Sequence, residues 1–228
     1  MSITKIAVSR TRRRHFLQTA MLVSAGSLAM LQSGCLGLAS NLMHAVGMDM
    51  IPAEYEGFEG ASVAVITMTD SSQYSNDVAA RELSRRVGEV LVNRVKKAKL
   101  VRGDLVEQWR DQNGGDSVDY AAIGKGVNAE RVLAIDLRDL RLRDGATLYR
   151  GRADVSMQVI DVETGNIVYS KSLDEYMYPT STGQHTSETT ETRFRKLYLS
   201  MLADEIGRSF HPYDMNERIA IDSRIASQ

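Results

Sequence analysis

The residue types that most often carry out chemistry are scarce in this chain. It contains a single cysteine, Cys35, and four histidines, so a nucleophile and its base could be drawn from few side chains. The Gly-x-Ser-x-Gly pattern of serine hydrolases does not occur. Gly124-Lys125-Gly126 lacks the long glycine spacing and the following Ser or Thr of a phosphate loop, and it is typical of a helix end. The sequence therefore predicts no catalytic residue and no cofactor, and we expect a protein that is not an enzyme.

One polar loop occupies a position where α/β proteins often bind ligands. The side chains of Thr69, Asp70, Ser71 and Ser72 follow directly after the first predicted strand. In open α/β sheets, ligands usually bind in the crevice outside the carboxyl ends of the strands. These four residues are weak candidates for a small-molecule site. The alternative is a loop that only caps the helix after it.

Two patterns contain residue types that bind metals. His185, Glu188 and Glu191 are spaced by three residues, which would place three ligand groups on one helical turn. A solvated loop followed by acidic residues at a helix start is the simpler interpretation. Thioether and imidazole groups that suit copper occur at Met43, His44, Met48 and Met50. Because that stretch is otherwise apolar, a tether or a short helix is the simpler interpretation there, and we expect no metal site.

Net charge distinguishes the N-terminus from the rest of the chain. There are 28 Lys plus Arg and 29 Asp plus Glu among the 228 residues. Residues 1–34 contain five basic residues and no acidic residue, so the remainder carries a net charge of about −6. An acidic body lacks the basic surface that nucleic-acid phosphates require, so we expect no nucleic-acid partner.

The N-terminus is typical of an export signal. A basic region ends at Arg14, and the apolar stretch Phe16–Leu31 follows it. That stretch is too short and too polar for a spanning helix, which needs roughly 20 strongly apolar residues. The paired Arg13 and Arg14, followed after one residue by Phe16 and Leu17, resemble a twin-arginine signal.

The only cysteine lies at the end of this apolar stretch. Leu31-Gln32-Ser33-Gly34-Cys35 resembles a bacterial lipobox, with Gln32 at the position where Leu is usual. The resemblance implies that residues 1–34 are a signal peptide and that Cys35 carries the lipid, which would be detectable with palmitate. A free cysteine after a plain signal or anchor is the alternative. A single cysteine forms no internal disulfide, so lipidation would make this a soluble domain tethered to a membrane.

Hydrophobic periodicity predicts an α/β (α+β) fold with a single mixed sheet and helices packed on it. The predicted order is β-α-β-α-α-β-β-β-α. The elements are strand Ala61–Met68, helix Asp77–Lys97, strand Lys99–Arg102, a helix from Asp104, helix Val118–Val127, strands Arg131–Leu142, Thr147–Ile160 and Asn166–Tyr176, and helix Glu188–Phe210. The apolar residues Leu133, Ile135 and Leu137 occupy odd-numbered positions, whereas Leu140 and Leu142 occupy even-numbered positions, which predicts a bulge or a twist after Leu137.

The same sequence patterns predict how the chain is divided. We expect a signal peptide at 1–34, a lipid tether and linker at 35–60, an α/β domain at 61–211 and a C-terminal tail at 212–228. Tyr178 to Ser187 is polar and predicts an exposed loop.

The body of the chain resembles a superfamily of envelope proteins. Gly126 to Ala134 and the hairpin from Val159 to Val168 resemble recurring segments of the curli-secretion lipoprotein (CsgG), the penicillin-binding-protein activator lipoprotein (LpoB) and the N-terminal domain of TolB. The resemblance covers about Ala61 to Phe210. The curli-secretion member forms a pore with long amphipathic hairpins. The candidate insertions here, 136–152 and 173–192, are charged or polar and disfavour a pore.

The resemblance implies a non-enzymatic lipoprotein that is anchored to a membrane of the bacterial envelope and faces the periplasm. It would act by protein–protein interaction with other envelope proteins. Two alternatives remain open. One is an oligomeric ring component of a secretion apparatus, which makes a homo-oligomer possible. The other is a periplasmic domain that binds a small molecule or a metal.

Overall fold

A computed structural model describes residues 50–69, 78–113, 119–180 and 182–214. The described residues from Ile51 onward belong to one compact unit. The strands are β1 (Met50–Ile51), β2 (Ser62–Thr69), β3 (Lys99–Leu100), β4 (Arg131–Asp144), β5 (Leu148–Asp161), β6 (Ile167–Tyr178), β7 (Gln184–His185) and β8 (Tyr213–Asp214). The helices are α1 (Val78–Arg94), α2 (Gly103–Gln112), α3 (Tyr120–Gly126) and α4 (Glu191–Gly207).

The main sheet is mixed, as the sequence predicts. Its strands lie in the order β3-β2-β4-β5-β6, and β7 pairs with the beginning of β5. β2 is parallel to both β3 and β4, whereas β4, β5 and β6 form an antiparallel meander. The predicted element order is therefore confirmed, with three short strands, β1, β7 and β8, added to it.

Helices cover both faces of the parallel part of this sheet. On one face, α1 and α4 bury side chains that recur every four residues, among them Leu83, Val87, Tyr198 and Leu202. On the other face, α2 and α3 pack against the alternate side chains of β2 and β4. The strand β2 consequently has apolar side chains on both faces, which explains its nearly continuous apolar sequence.

The predicted irregularity in β4 is present. Pairing with β5 shifts register between Arg138 and Arg141, and Asp139 has a φ angle of 50°. Leu137 before the shift and Leu142 after it are both buried. The bulge lets the strand keep apolar residues in the core although their sequence parity changes.

The prediction of a wholly exposed loop from Tyr178 to Ser187 is wrong. Tyr178 ends β6 with its side chain buried, and β7 pairs with β5 through Leu148 and Tyr149. The helix after this loop begins at Glu191, and the Thr190 side chain caps it by accepting a 3.3 Å hydrogen bond from a backbone N–H of its first turn.

Part of the segment expected to be linker packs into the core. Phe58 is fully buried, and its ring lies 4.8 Å from that of Phe210 at the end of the last helix. Tyr55 packs edge-on against Phe58, at 5.2 Å between ring centroids. Pro52, Gly57 and Gly60 suggested a linker, but sequence alone does not reveal that Phe58 has a partner at Phe210, far along the chain.

Candidate functional site

The loop proposed as a weak ligand site begins where β2 ends. Thr67 and Thr69 are both buried. The Ser84 hydroxyl on α1 donates a 2.8 Å hydrogen bond to the Thr67 hydroxyl. Asp70, Ser71 and Ser72 lie outside the described residues, so the ligand role of this loop stays a prediction.

A polar cluster lies beside this end of β2, on the face that α2 and α3 cover. Arg110 of α2 is buried, and its Nη2 atom lies 3.7 Å from the sulfur of Met68. Burial raises the pKa of Tyr120 on α3, the negative charge of Asp136 raises it further, and the positive charge of Arg110 lowers it. The charges of Asp136 and Arg110 therefore act on Tyr120 beside the carboxyl end of β2.

Arg110 was not singled out from the sequence, although a signal for it exists. It follows Val106 by four residues, and Val106 is buried on the same face of α2. A charged residue on the apolar stripe of an amphipathic helix is unusual and indicates a buried polar contact. Leu105, by contrast, is 44% exposed.

An open cleft adjoins this cluster at the edge of the sheet. Its volume is about 310 Å³, and its walls come from β2, α1 and α2. The residues that define it are Val65, Thr67, Ala80, Ser84, Val106 and Arg110. Three of these six side chains are apolar, and three are polar or charged. A volume near 300 Å³ lies at the small end of the range for ligand sites.

The proposed grouping of His185, Glu188 and Glu191 on one helical turn is wrong. His185 lies in β7 and Glu188 in the loop before α4, so only Glu191 belongs to the helix. The Glu191 carboxylate is used in ion pairs with Arg143 at 3.3 Å and Arg195 at 3.0 Å. Within the described ranges, no three His, Cys, Asp or Glu side chains are grouped so that they could hold a metal ion.

Trp109 and Gly126 occupy packing positions. Trp109 is partly buried and packs against the core cluster under α2 and α3. Gly126 ends α3, as expected for the Gly-Lys-Gly segment, and its Cα lies so close to the Trp109 indole that a side chain there would overlap the ring. Both observations indicate packing positions.

The residues proposed for export and anchoring lie outside the described part of the chain. These are Arg13, Arg14, Phe16, Leu17 and Cys35. The possible copper ligands Met43, His44 and Met48 also lie outside it. No helix of the described residues has the length and apolarity needed to cross a membrane.

A second polar cluster, which the sequence did not reveal, joins Glu54 near the start of the domain to two residues of β6. The Glu54 carboxylate accepts hydrogen bonds from the Lys171 ammonium at 2.5 Å and from the Tyr169 hydroxyl at 2.7 Å. The Lys171 hydrogen bond, helped by that of Tyr169, lowers the pKa of Glu54 although burial opposes the shift. Burial, with the Glu54 hydrogen bond, raises the pKa of Tyr169 to about 12. We refer to Glu54, Tyr169 and Lys171 as the clasp.

Comparisons with known proteins find similar solved structures only. No family model matches the chain, and no curated protein sequence matches it. Lipoprotein GNA1162 from Neisseria meningitidis is 15% identical, with a TM-score of 0.43 over 65% of this chain and 99% of that one. The PelC dodecamer from Paraburkholderia phytofirmans is 13% identical, with a TM-score of 0.39 over 71% and 96% of the two chains. The LpoB C-terminal domain from Salmonella enterica is 21% identical, with a TM-score of 0.35 over 60% and 91%.

Proposed function

We propose that this chain is an exported lipoprotein of the bacterial envelope that acts without catalysis, by contact with other envelope proteins. The observation that carries the proposal is the position of its only cysteine. Cys35 follows Ser33 and Gly34 at the end of an apolar stretch, which itself follows paired arginines. In this proposal residues 1–34 are removed, Cys35 is lipidated, and the α/β domain faces the periplasm on a membrane tether.

Two further observations support a contact role. The sequence contains none of the nucleophile, phosphate-loop or metal motifs that an enzyme of this size usually displays. The body of the chain also resembles, between Ala61 and Phe210, a superfamily whose activator and TolB members contact envelope proteins.

The anchor is tested by labelling cells with an alkyne analogue of palmitate. The wild-type chain should be labelled and should sediment with membranes, and Cys35→Ala should lose both properties. Conservative replacement of Arg13 and Arg14 by lysine should leave precursor in the cytoplasm if the export route uses the paired arginines. Labelling of Cys35→Ala as strong as that of the wild type would refute the anchor.

The contact role is tested by crosslinking in intact envelopes, followed by mass spectrometry. We expect a specific protein partner to be recovered at a yield that depends on the anchor. Recovery of lipid alone would contradict the proposal. Recovery of only further copies of this chain, together with a large ring-sized assembly in detergent, would instead favour a component of a secretion apparatus.

A further inference from the structure

Another open cleft lies between the beginnings of α1 and α4 and the part of β4 that follows its bulge. Its volume is about 630 Å³. Four of its eight lining residues are charged, and these are Arg141, Arg143, Arg195 and Glu191. We refer to it as the arginine cleft.

Positive charge exceeds negative charge in the lining of the arginine cleft. The Glu191 carboxylate, the one acidic group of the lining, lies 3.3 Å from Arg143 and 3.0 Å from Arg195. Arg141 pairs at 3.4 Å with Asp139, which is not a lining residue. These two side chains are 74% and 63% exposed, so their attraction is weak. The three guanidinium groups therefore leave the cleft with a net positive charge.

The arginine side chains also have hydrogen-bond donors for a further anion. A guanidinium group has five N–H donors. Among the described residues, Arg143 directs Nε and Nη2 to Glu191 and to the Tyr149 hydroxyl, and Arg195 directs Nη2 to Glu191. The Arg143 guanidinium lies 5.1 Å from the centre of the buried Tyr149 ring, which holds it in position. A carboxylate or phosphate group thus has donors available without displacing Glu191.

Apolar side chains form the other half of the lining. Val78 is 61% exposed, the largest exposed fraction of any large apolar side chain in the described ranges. Leu140 is partly buried, and Leu142 below it belongs to the core. A ligand that covers Val78 removes this apolar surface from water, which favours binding. The cleft therefore combines donors for an anionic group with apolar surface.

We propose that the arginine cleft binds a small organic anion, in which one carboxylate or phosphate group is joined to a compact apolar part. The N–H groups of Arg143 and Arg195 hold the anionic group, and Arg141 adds to the attraction. The apolar part lies against Val78 and Leu140. Guanidinium groups bind carboxylates and phosphates alike through paired hydrogen bonds, so the two groups form one ligand class here. This site goes beyond the proposed contact role, and neither depends on the other.

The first measurement is calorimetric titration of the purified full chain, in a non-ionic detergent, with phenyl phosphate. We expect a one-to-one complex that weakens as the salt concentration rises. Inorganic phosphate lacks the apolar part and should bind at least about tenfold more weakly. Benzyl alcohol lacks the charge and should not bind. Absence of phenyl phosphate binding, or equal binding by all three compounds, would overturn the proposal.

Charge variants locate the site. Arg143→Gln and Arg195→Gln should each weaken phenyl phosphate binding at least about fivefold, because each removes charge-assisted donors. Arg193→Gln is the matched control, because it removes the same charge from an exposed α4 residue outside the lining and should change the affinity little. Thermal unfolding verifies folding, and Arg141→Gln, at a mostly exposed side chain, replaces a variant that does not fold. An effect of Arg193→Gln as large as that of the cleft variants would refute the site.

Glu191→Gln distinguishes a binding role of these arginines from a structural one. The substitution frees N–H groups of Arg143 and Arg195 and adds net positive charge, so phenyl phosphate should bind at least about threefold more tightly. If the two arginines served only to hold α4 through Glu191, the variant would lose thermal stability with no gain in affinity. That result would overturn the proposal.

Val78→Ser tests where the apolar part lies. It should weaken the binding of phenyl phosphate and leave that of inorganic phosphate unchanged, because only phenyl phosphate covers Val78. An equal loss for both ligands would contradict this placement.

Vesicle flotation distinguishes a free anion from a lipid headgroup. The full chain with Cys35→Ala is mixed with phosphatidylcholine vesicles that contain phosphatidic acid, which presents a phosphate group at a membrane surface. We expect Arg143→Gln to leave any flotation unchanged. Flotation that Arg143→Gln abolishes, together with no binding of free phenyl phosphate, would overturn the small-molecule class and assign the cleft to a lipid headgroup.

Discussion

Gly151 in β5 lies directly against the buried ring of Tyr198 in α4, with no room for a side chain between them. The Tyr198 hydroxyl donates a 3.0 Å hydrogen bond to the Tyr176 carbonyl of β6, which fixes the ring in place. Because Gly151 has no side chain, α4 can pack closely against the antiparallel part of the sheet. Burial raises the pKa of the Tyr198 hydroxyl.

Gly151→Ala should destabilise the domain. A Cβ at this position would overlap the Tyr198 ring, which is fully buried and cannot move aside, and overpacking of this kind typically costs about 1–3 kcal/mol. Urea unfolding would measure the change. Gly103→Ala is the matched control, because it adds the same methyl group where nothing lies within 4 Å and should be neutral or slightly stabilising. Equal stability of Gly151→Ala and the wild type would contradict the packing.

The clasp should make stability depend on pH in the acid range. The pKa of Glu54 is lowered in the folded chain, so its contribution is present above the unfolded pKa, about 4.3, and is lost as pH falls through the folded value. Glu54→Gln should therefore show a smaller loss of unfolding free energy than the wild type as pH decreases from 5 towards about 2. Replacement of the exposed Glu59 by Gln should keep the wild-type profile, and identical profiles for all three chains would refute the role of Glu54.

The polar cluster at the end of β2 should be visible in the titration of Tyr120. Asp136→Asn removes a negative charge and should lower the Tyr120 pKa, whereas Arg110→Met removes a positive charge and should raise it. A ¹³C-tyrosine NMR titration measures both shifts, with Tyr120→Phe to assign the signal. Shifts in the same direction for the two variants would show that the charges do not act on Tyr120 as the geometry indicates.

The contact between Gly126 and the only tryptophan can be followed by fluorescence. Gly126→Ala places a methyl group where the Trp109 indole lies, so the ring must move towards solvent and its emission should shift to longer wavelength. Lys125→Ala changes the exposed neighbouring residue and should leave the emission unchanged. A Gly126→Ala spectrum that matches the wild type would exclude close packing of the two residues.

Local patterns in the sequence predict the sheet well. The nearly continuous apolar sequence of β2 correctly indicates burial on both faces, because a strand between two helical layers has no solvent side. The parity change after Leu137 correctly indicates the bulge, because side-chain alternation in a strand is fixed by backbone geometry.

Features that depend on distant residues could not be predicted in this way. The burial of Phe58, the clasp and the pairing of β7 all join segments that are far apart in sequence. The shortness of β3 is another such feature, because the chain turns into α2 at Gly103. The sequence predicts a candidate site that begins at Thr69, at the end of β2. The cleft lies beside the same strand and is lined by Thr67, two residues before Thr69.

The clasp and the contact between Phe58 and Phe210 also determine when folding can be completed. Glu54 and Tyr169 are 115 positions apart, and Phe58 needs the ring of Phe210, near the end of the last helix. At about 5–20 residues per second, synthesis of the chain from Phe58 to Phe210 takes roughly 8–30 s. During that time the nascent chain exposes Phe58 and the apolar face of α1, and the entropy of closing so long a loop delays their burial further. This interval is when the newly made chain most needs protection by chaperones.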